Sequence, residues 1–221
     1  MNDFRRVIII GCGGHGRVLG DIVLSQPERF ELVGFVDRNT DAIGSRIFGV
    51  SVLGDDGFLT RNFTPSDVRL INGIGSVRDT TLRRKVFEMF KSLGYEFCPV
   101  ISNGARLSKR SVFGEGCQII TGAVVQHGCD VGDNTIINTS ASVDHDCVIG
   151  NHSHIAPGAT LSGLVSVGDG THIGSGATVI QGLRIGEGCL VAAGAVVVSD
   201  VPAGSIAMGV PARITARQVS I

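Results

Sequence analysis

The sequence predicts a chain in two parts: a Rossmann-like α/β domain over residues 1–98, then a parallel β-helix with a C-terminal cap over residues 99–221. Three observations carry this. Apolar residues recur every sixth position from Ile101 to Val197 without a slip. A glycine-rich turn, Gly11-Cys12-Gly13-Gly14-His15-Gly16, follows a short apolar run near the start. Strand-like and helical patterns then alternate up to the hexad array, as in a parallel α/β domain.

The first element is a strand from Arg6 to Ile10. It runs into the glycine turn, which fits G-x-G-x-x-G. A helical pattern follows, with Val18, Leu19, Ile22 and Val23 on one face, and Pro27 stops it. A second strand, Glu31 to Val36, ends in Asp37, 21 positions beyond Gly16. That is about the spacing of a dinucleotide-binding βαβ unit. Glycines let the backbone come close to a phosphate, and the helix N-terminus offers it free N–H groups. A third strand, Val68 to Asn72, leads into Gly73-Ile74-Gly75-Ser76. A helix from about Arg78 to Leu93 comes next, with Leu82, Val86, Phe87, Phe90 and Leu93 at helical spacing. A glycine turn alone is a weak signal, since the same pattern serves as a plain tight turn. His15 inside it points to a ligand contact.

The hexad array is the stronger signal. All seventeen residues met in steps of six from Ile101 are apolar, and all but Phe113 are aliphatic. A period of six argues for a parallel β-helix with 18 residues per coil. The first hexad position points inward, and burial of each aliphatic contributes roughly 1.5–3 kcal/mol. Position five is the second inward site and is nearly always small. Four cysteines stand there, Cys117, Cys129, Cys147 and Cys189, and read as small interior residues rather than metal or redox groups. Position four is glycine in ten of seventeen hexads, as a corner with positive φ requires. The longest run without glycine there is Asn134, Ser140, Asp146 and His152, and it surrounds His145. His127, His145 and Gly163 stand 18 apart at position three, and His154 and His172 stand 18 apart at position six. Position three faces outward or toward a neighbouring subunit, and a cyclic trimer suits a triangular prism. After Val201-Pro202 the period stops, so Ala203 to Arg213 reads as a cap or an extended loop.

Charge and composition exclude several classes. With 19 basic and 20 acidic residues the net charge is -1, so no electrostatic footprint for nucleic acid exists. The 32 glycines lack a Gly-X-Y period, which excludes collagen and leaves tight turns. The N-terminal apolar run, Val7 to Ile10, is too short for a signal peptide core, and no run approaches the roughly 18 residues of a membrane span. A cytoplasmic protein is expected. None of the six cysteines forms a C-x-x-C pair, and reduced thiols are expected.

The array, the terminal Gly209-Val210-Pro211-Ala212-Arg213, and Ile137-Asn138-Thr139-Ser140 leading to Val143-Asp144-His145-Asp146-Cys147 resemble the hexapeptide-repeat acyltransferases. With the glycine-turn domain in front, the whole chain resembles bacterial nucleotide-sugar N-acetyltransferases of the bacillosamine and perosamine type. The so-called sialic acid O-acetyltransferases belong to the same family. The resemblance implies a left-handed β-helix, against the usual crossover hand, and a homotrimer with active sites between subunits. It implies acetyl-CoA as co-substrate, no metal, and a place in making bacterial surface glycan sugars. The N-terminal domain would hold the nucleotide-linked amino sugar rather than NAD. His145 matches the catalytic base. Gly13, Gly14, His15, Asp37, Gly75 and Asn138 fall where the family meets the sugar nucleotide. His154, Gly163, Ser175, Ala193 and Pro211 fall where it meets acetyl-CoA. Two departures stand out. The family's glutamate beside the catalytic histidine is aspartate here on both sides, and Asp37-Arg38 replaces an acidic pair at the end of strand two. The second leaves the choice between uridine and guanosine open.

The reaction implied is acetyl transfer to the 4-amino group of a nucleotide-linked 4-amino-4,6-dideoxy sugar, UDP-linked in the favoured reading. An ammonium cannot attack, so a base must take a proton from nitrogen, and histidine suits that at neutral pH. A carboxylate on the far ring nitrogen would fix the tautomer. Asp146 is the first choice and Asp144 the second. Adjacent residues on a strand point opposite ways, but Asp146 sits at a corner where alternation breaks. The oxyanion would meet a backbone N–H. Structural histidines are expected at His127, His152 and His172. Rival readings are O-acetylation of a sialic-acid-like sugar, a GDP-perosamine acceptor, a carbonic-anhydrase-type metal site built from His127, His145, His154 and His172, and a non-catalytic sugar-nucleotide or NAD module.

Overall fold

The computed structural model describes residues 5–216. The chain divides into two compact units. One comprises the residues up to Gly75 together with Lys85–Val100, the other Ser76–Arg84 together with the residues from Ile101 on.

The first unit is a five-stranded sheet built from β1 (Arg5–Ile10), β2 (Phe30–Val36), β3 (Arg46–Ile47), β4 (Val50–Gly54) and β5 (Arg69–Asn72). The order is β3-β4-β2-β1-β5. All neighbours are parallel except β3 and β4, which form an antiparallel hairpin. Helices α1 (Gly14–Leu24), α2 (Asp56–Asn62) and, from Lys85 on, α3 (Thr81–Ser92) complete the α/β elements.

The hairpin and α2 lie in a stretch where the sequence shows no clear pattern. The hairpin turn is Phe48-Gly49, both with positive φ (51° and 82°). That is the primed turn that matches strand twist, made without the usual Asn-Gly or Asp-Gly pair. Two predicted helix faces need correction. Leu19, Ile22 and Val23 are buried on α1, but Val18 is 43% exposed. Gly16 and Gly20 complete the packed face instead. A Cβ on Gly20 would stand 2.8 Å from Phe35, so the helix lies too close to the sheet for a side chain there. α3 begins at Thr81 rather than Arg78, because Asp79 Oδ1 accepts the Thr81 N–H at 2.8 Å. Val86, Phe87 and Phe90 are buried, whereas Leu82 and Leu93 are largely exposed.

The second unit is the β-helix. Two-residue strands pair in parallel with partners 18 residues away, as in Val124↔Ser142, Asp130↔Val148 and Ile136↔His154. They make a six-stranded, a five-stranded and an eight-stranded sheet. Hexad positions one and five form one continuous buried core from Ile119 through Val201. Thiols at position five give their hydrogens to carbonyls, Cys129 to Asp144 O (3.0 Å) and Cys147 to Ser162 O (3.2 Å). Burial pushes the Cys147 thiol up to about 11, so it is no nucleophile at neutral pH.

Two features of the coil stack do not show in the hexad alone. Gly114, Gly132, Gly150, Gly168 and Gly186 form a column in which an added Cβ would strike the next coil. Beside it runs a side-chain ladder. Asp133 Oδ1 accepts the Glu115 N–H (2.7 Å), Asn151 Oδ1 the Asp133 N–H (2.8 Å), and Asp169 Oδ1 the Asn151 N–H (2.8 Å). Past Val201 the segment is more than a cap. Ser205–Met208 adds another parallel rung, Val191↔Ala207, and Arg213–Ala216 then folds back antiparallel on it. That rung is 16 residues on (207 − 191), which is why the six-residue period loses it.

Segment 76–84 is tied to the β-helix by side chains. Thr80 Oγ1 donates to Gly170 O (3.1 Å) and Arg83 Nε to Asn134 O (3.1 Å). Arg83 is fully buried, and burial lowers its pKa to about 9. It stays charged at neutral pH.

Candidate active site

Strand Ser142–Val143 ends at a corner between the six- and five-stranded sheets, and Asp144-His145-Asp146 makes the turn. Asp146 has φ 57°. The left-handed conformation swings its carboxylate back beside the preceding side chain, which an extended strand would not allow. His145 Nδ1 and Asp146 Oδ2 stand 2.9 Å apart. The carboxylate only accepts, so Nδ1 carries the proton and Nε2 keeps its lone pair. Asp144 does something else: its Oδ1 accepts the His145 backbone N–H at 2.8 Å and caps the turn.

The coils above and below shape the space around the ring. His127, one coil below, stacks on His145 with centroids 5.8 Å apart and 17° between planes. Gly163 is one coil above, and a Cβ there would lie 2.5 Å from His145 Nε2. Gly128 makes room for the Asp146 carboxylate in the same way. The His145 side chain remains 44% exposed. The run of glycine-free corners does not surround it. Consecutive hexads fall on three different corners, so Asn134 and His152 share one, Ser140 sits on another, and Asp146 alone stands beside His145. Asn134 Nδ2 meets His152 Nδ1 at 3.0 Å in a separate contact.

A second constellation lies on the eight-stranded sheet. His154 is 5% exposed. Its Nε2 faces Asn138 Nδ2 at 2.9 Å, and its Nδ1 faces Ser76 Oγ (2.7 Å) and Ser76 O (3.1 Å). Asn138 Oδ1 accepts the Thr139 N–H at 2.7 Å, which fixes the amide with its NH2 toward the ring. Nε2 must therefore accept, and Nδ1 carries the proton toward Ser76. Both ring nitrogens of His154 are engaged within the chain. Sequence reasoning had no signal for Ser76, 78 positions away.

His172 meets His154 edge to face at 4.9 Å. It is 7% exposed, and its Nδ1 has no hydrogen-bond partner. Burial lowers its pKa, which keeps it neutral at neutral pH. A cavity of about 470 Å³ opens beside it, with Ser175 and Ala193 in its wall. Of the other residues expected at acetyl-CoA, Gly163 stands with His145 and Pro211 is exposed in the turn after Ser205–Met208. Among the described residues no three His, Cys, Asp or Glu side chains converge as a ligand set for a metal ion.

In the α/β unit the glycine turn leads into α1. Gly11 has φ 91°, and a Cβ on Gly16 would strike Gly11 O. Gly13 and Gly14 have open space where a side chain would go, so the chain's own packing does not demand glycine there. Gly75 lies against His15, with an added Cβ 3.2 Å from His15 Cβ. Asp37 braces the turn. Its Oδ2 accepts the Cys12 N–H (2.7 Å) and its Oδ1 the Asn39 N–H (2.8 Å). Partial burial pushes its carboxyl up, but those hydrogen bonds outweigh it and hold the group below the usual range. Burial and the neighbouring Asp37 push the Cys12 thiol up to about 11.

Comparison with known proteins follows the same division. Residues 6–90 match the model of the PglD N-terminal domain, and residues 128–163 match the bacterial transferase hexapeptide repeats. The acetyltransferase domain of PglB from Neisseria gonorrhoeae FA1090 is 33% identical, covering 95% of this chain and 98% of that one, with a TM-score of 0.86. PerB from Caulobacter crescentus, solved with CoA and GDP-perosamine, is 36% identical over 95% and 96%, with a TM-score of 0.82. WeeI from Acinetobacter baumannii AYE is 28% identical over 95% and 99%, with a TM-score of 0.81. A search of curated proteins finds no match.

Proposed function

The chain belongs to the PglD-type family of acetyltransferases, an α/β domain followed by a left-handed hexapeptide β-helix, and we propose that it acetylates the 4-amino group of a UDP-linked 4-amino-4,6-dideoxy sugar. It is an acetyl-CoA-dependent acyltransferase of amino sugars. The observation that carries the mechanism is the oriented imidazole of His145. Asp146 holds Nδ1–H at 2.9 Å, and Nε2 faces the space that a side chain on Gly163 would fill.

Nε2 takes the proton as the sugar amine attacks the thioester carbonyl carbon. The C–N bond forms, and the carbonyl electrons move onto oxygen. That oxyanion needs a donor, and a backbone N–H suits it. The C–S bond then breaks, and the proton passes from the imidazolium to the departing thiolate. Asp146 stabilises the imidazolium throughout. No acyl-enzyme is needed, because a thioester already carries a good leaving group.

The reading calls for a homotrimer. One chain places His145 and Gly163 on one corner and Asn138, His154, Ser175 and Ala193 on or beside the eight-stranded sheet. A cyclic assembly of triangular prisms would bring the first set of one subunit to the second set of its neighbour. The sugar nucleotide would lie against Gly13, Gly14, His15 and Gly75, with the Asp37-braced turn beneath. A GDP-linked acceptor is the second reading, favoured by the GDP-perosamine complex of a relative at 36% identity.

The test is thiol release from acetyl-CoA with UDP- and GDP-linked 4-amino-4,6-dideoxy sugars. His145→Ala should abolish release while leaving the thermal melt and ligand binding intact. Loss of the fold instead would make His145 structural. Silence with every amino sugar, with release on a hydroxyl acceptor, would refute N-acetylation.

A further inference from the structure

Among the described residues, five corners of the β-helix carry a residue other than glycine at positive φ: Asn134 (54°), Ser140 (55°), Asp146 (57°), His152 (58°) and Leu164 (63°). Short polar side chains suit that conformation, because they can bond locally. Asn134 and His152 bond each other, and Asp146 bonds His145. Leu164 is the one aliphatic residue of the five. Its side chain has no hydrogen bond to gain, and it is 56% exposed, so burial within the chain offsets little of the strain. Strain kept at an exposed apolar residue points to a group that arrives from outside the chain, and such strain gathers at ligand sites.

The place of Leu164 says which group. Its N–H donates to His145 O at 2.9 Å, which fixes this corner beside the proposed base. Its neighbour Gly163 leaves open the space toward His145 Nε2, where a Cβ would lie 2.5 Å away. Gly182, one coil further on, has nothing within 4 Å of where its Cβ would stand. Leu164 is therefore an apolar edge on the space in which Nε2 must meet the acceptor nitrogen. On a 4-amino-4,6-dideoxy sugar, the ring carbon next to the one bearing nitrogen carries a methyl group, so that methyl enters with the amine. The 6-hydroxy counterpart would bring a hydroxyl to the same place, where it loses water without gaining a partner. We infer that Leu164 is a specificity residue that meets the C6 methyl of the acceptor and selects 6-deoxy over 6-hydroxy sugars. This role rests on an amino sugar being the acceptor.

The test compares kcat/KM for thiol release from acetyl-CoA with a 4-amino-4,6-dideoxy sugar and with its 6-hydroxy counterpart on the same nucleotide, UDP or GDP. Wild type should favour the 6-deoxy acceptor by roughly 10–10²-fold, the range of one small group in an apolar contact. Leu164→Asn, which nearly keeps the volume and suits the left-handed corner, should cut that ratio to within about threefold of unity. Leu164→Met, still apolar, should keep the ratio. Leu164→Gly should lose it as the Asn variant does, and it serves if the Asn variant fails to fold. A residue with only a structural role would lower both rates and leave the ratio alone. That result, or a wild-type ratio near one, overturns the proposal. So does a Leu164→Asn protein that falls apart into monomers by analytical ultracentrifugation, since a neighbouring subunit would then be what covers Leu164. If neither sugar yields thiol, calorimetric binding of the same two nucleotide sugars supplies the ratio. A binding preference lost in Leu164→Asn would then refute the proposed acetyl acceptor and leave the methyl contact standing, whereas equal binding by wild type overturns the contact as well.

Discussion

Gly163→Ala is the sharpest steric probe of the His145 site. The added Cβ would lie 2.5 Å from Nε2 and 2.6 Å from Cε1, while an ordinary contact needs at least 3.4 Å. The ring must therefore withdraw by about 1 Å, the difference between contact distance and available space. Asp146 tethers Nδ1 on one side, so the ring tilts about that hydrogen bond toward His127, where the 5.8 Å stack leaves some slack. Gly163 itself has no left-handed φ, so alanine fits its backbone and the fold should persist. A misplacement of about 1 Å costs roughly 10²-fold in rate, or about 2.7 kcal/mol in the barrier. Steady-state thiol release should show that loss in kcat, with an unchanged melting temperature. A kcat within twofold of wild type, in a folded variant, would refute the claim that Nε2 works from the space a Gly163 side chain would fill.

Other expectations follow from the same geometry. Asp146→Asn removes the charge opposite the imidazolium and can turn an NH2 toward Nδ1, so kcat should fall about 10³-fold, while Asp144→Asn, still able to cap the turn, should stay within fivefold. Steady-state kinetics on the pair separates the two carboxylates, and equal losses would undo the assignment. Leu164 has φ 63° and is 56% exposed, so Leu164→Gly should relieve about 1 kcal/mol of strain and raise Tm by about 2–4 °C. A lower Tm by calorimetric scan would mean that an assembly buries the side chain. His172 has its pKa lowered by burial. Below the ordinary histidine range, about pH 6.5, the unfolded chain binds a proton the native chain refuses, so stability is lost as pH falls from there through the lowered native pKa. Melts across that window should be flatter for His172→Phe than for wild type. Identical slopes would contradict the burial effect.

Much of the fold was legible because its physics is periodic. Positions one and five repeat every six residues, so inward burial is visible as composition, and positive φ at position four is visible as glycine. What a one-dimensional period hides is pairing across coils. Asp133, Asn151 and Asp169 are ordinary loop residues until their 18-residue stacking turns each carboxylate or amide into a cap for the N–H of the coil below. The glycine column beside them is required by close approach, not by dihedral freedom, and composition does not distinguish the two. The hairpin at Arg46–Gly54 escaped because its turn is Phe48-Gly49 and its strands are short. Ser76 escaped because its partner, His154, is brought to it only by the fold.

Reading the corners by column rather than by row changes which exceptions matter. Along the chain, Asn134, Ser140, Asp146 and His152 are four neighbours without glycine. In space they occupy three corners, and only one of these bears the proposed base. Asn134 and His152 bond to each other, and Asn134 O receives the buried Arg83, so that corner anchors segment 76–84. Along the corner of His145 the column is His127, His145 and Gly163, flanked by Gly128, Asp146 and Leu164. Here side chain and space alternate with a purpose. Gly128 clears room for the Asp146 carboxylate, and Gly163 clears room for Nε2. A glycine at 146 would satisfy the backbone equally well, yet nothing would then hold Nδ1. The left-handed φ that makes the corner turn is the same one that brings Asp146 onto its neighbour's ring, so the base is oriented by the turn that the coil already requires.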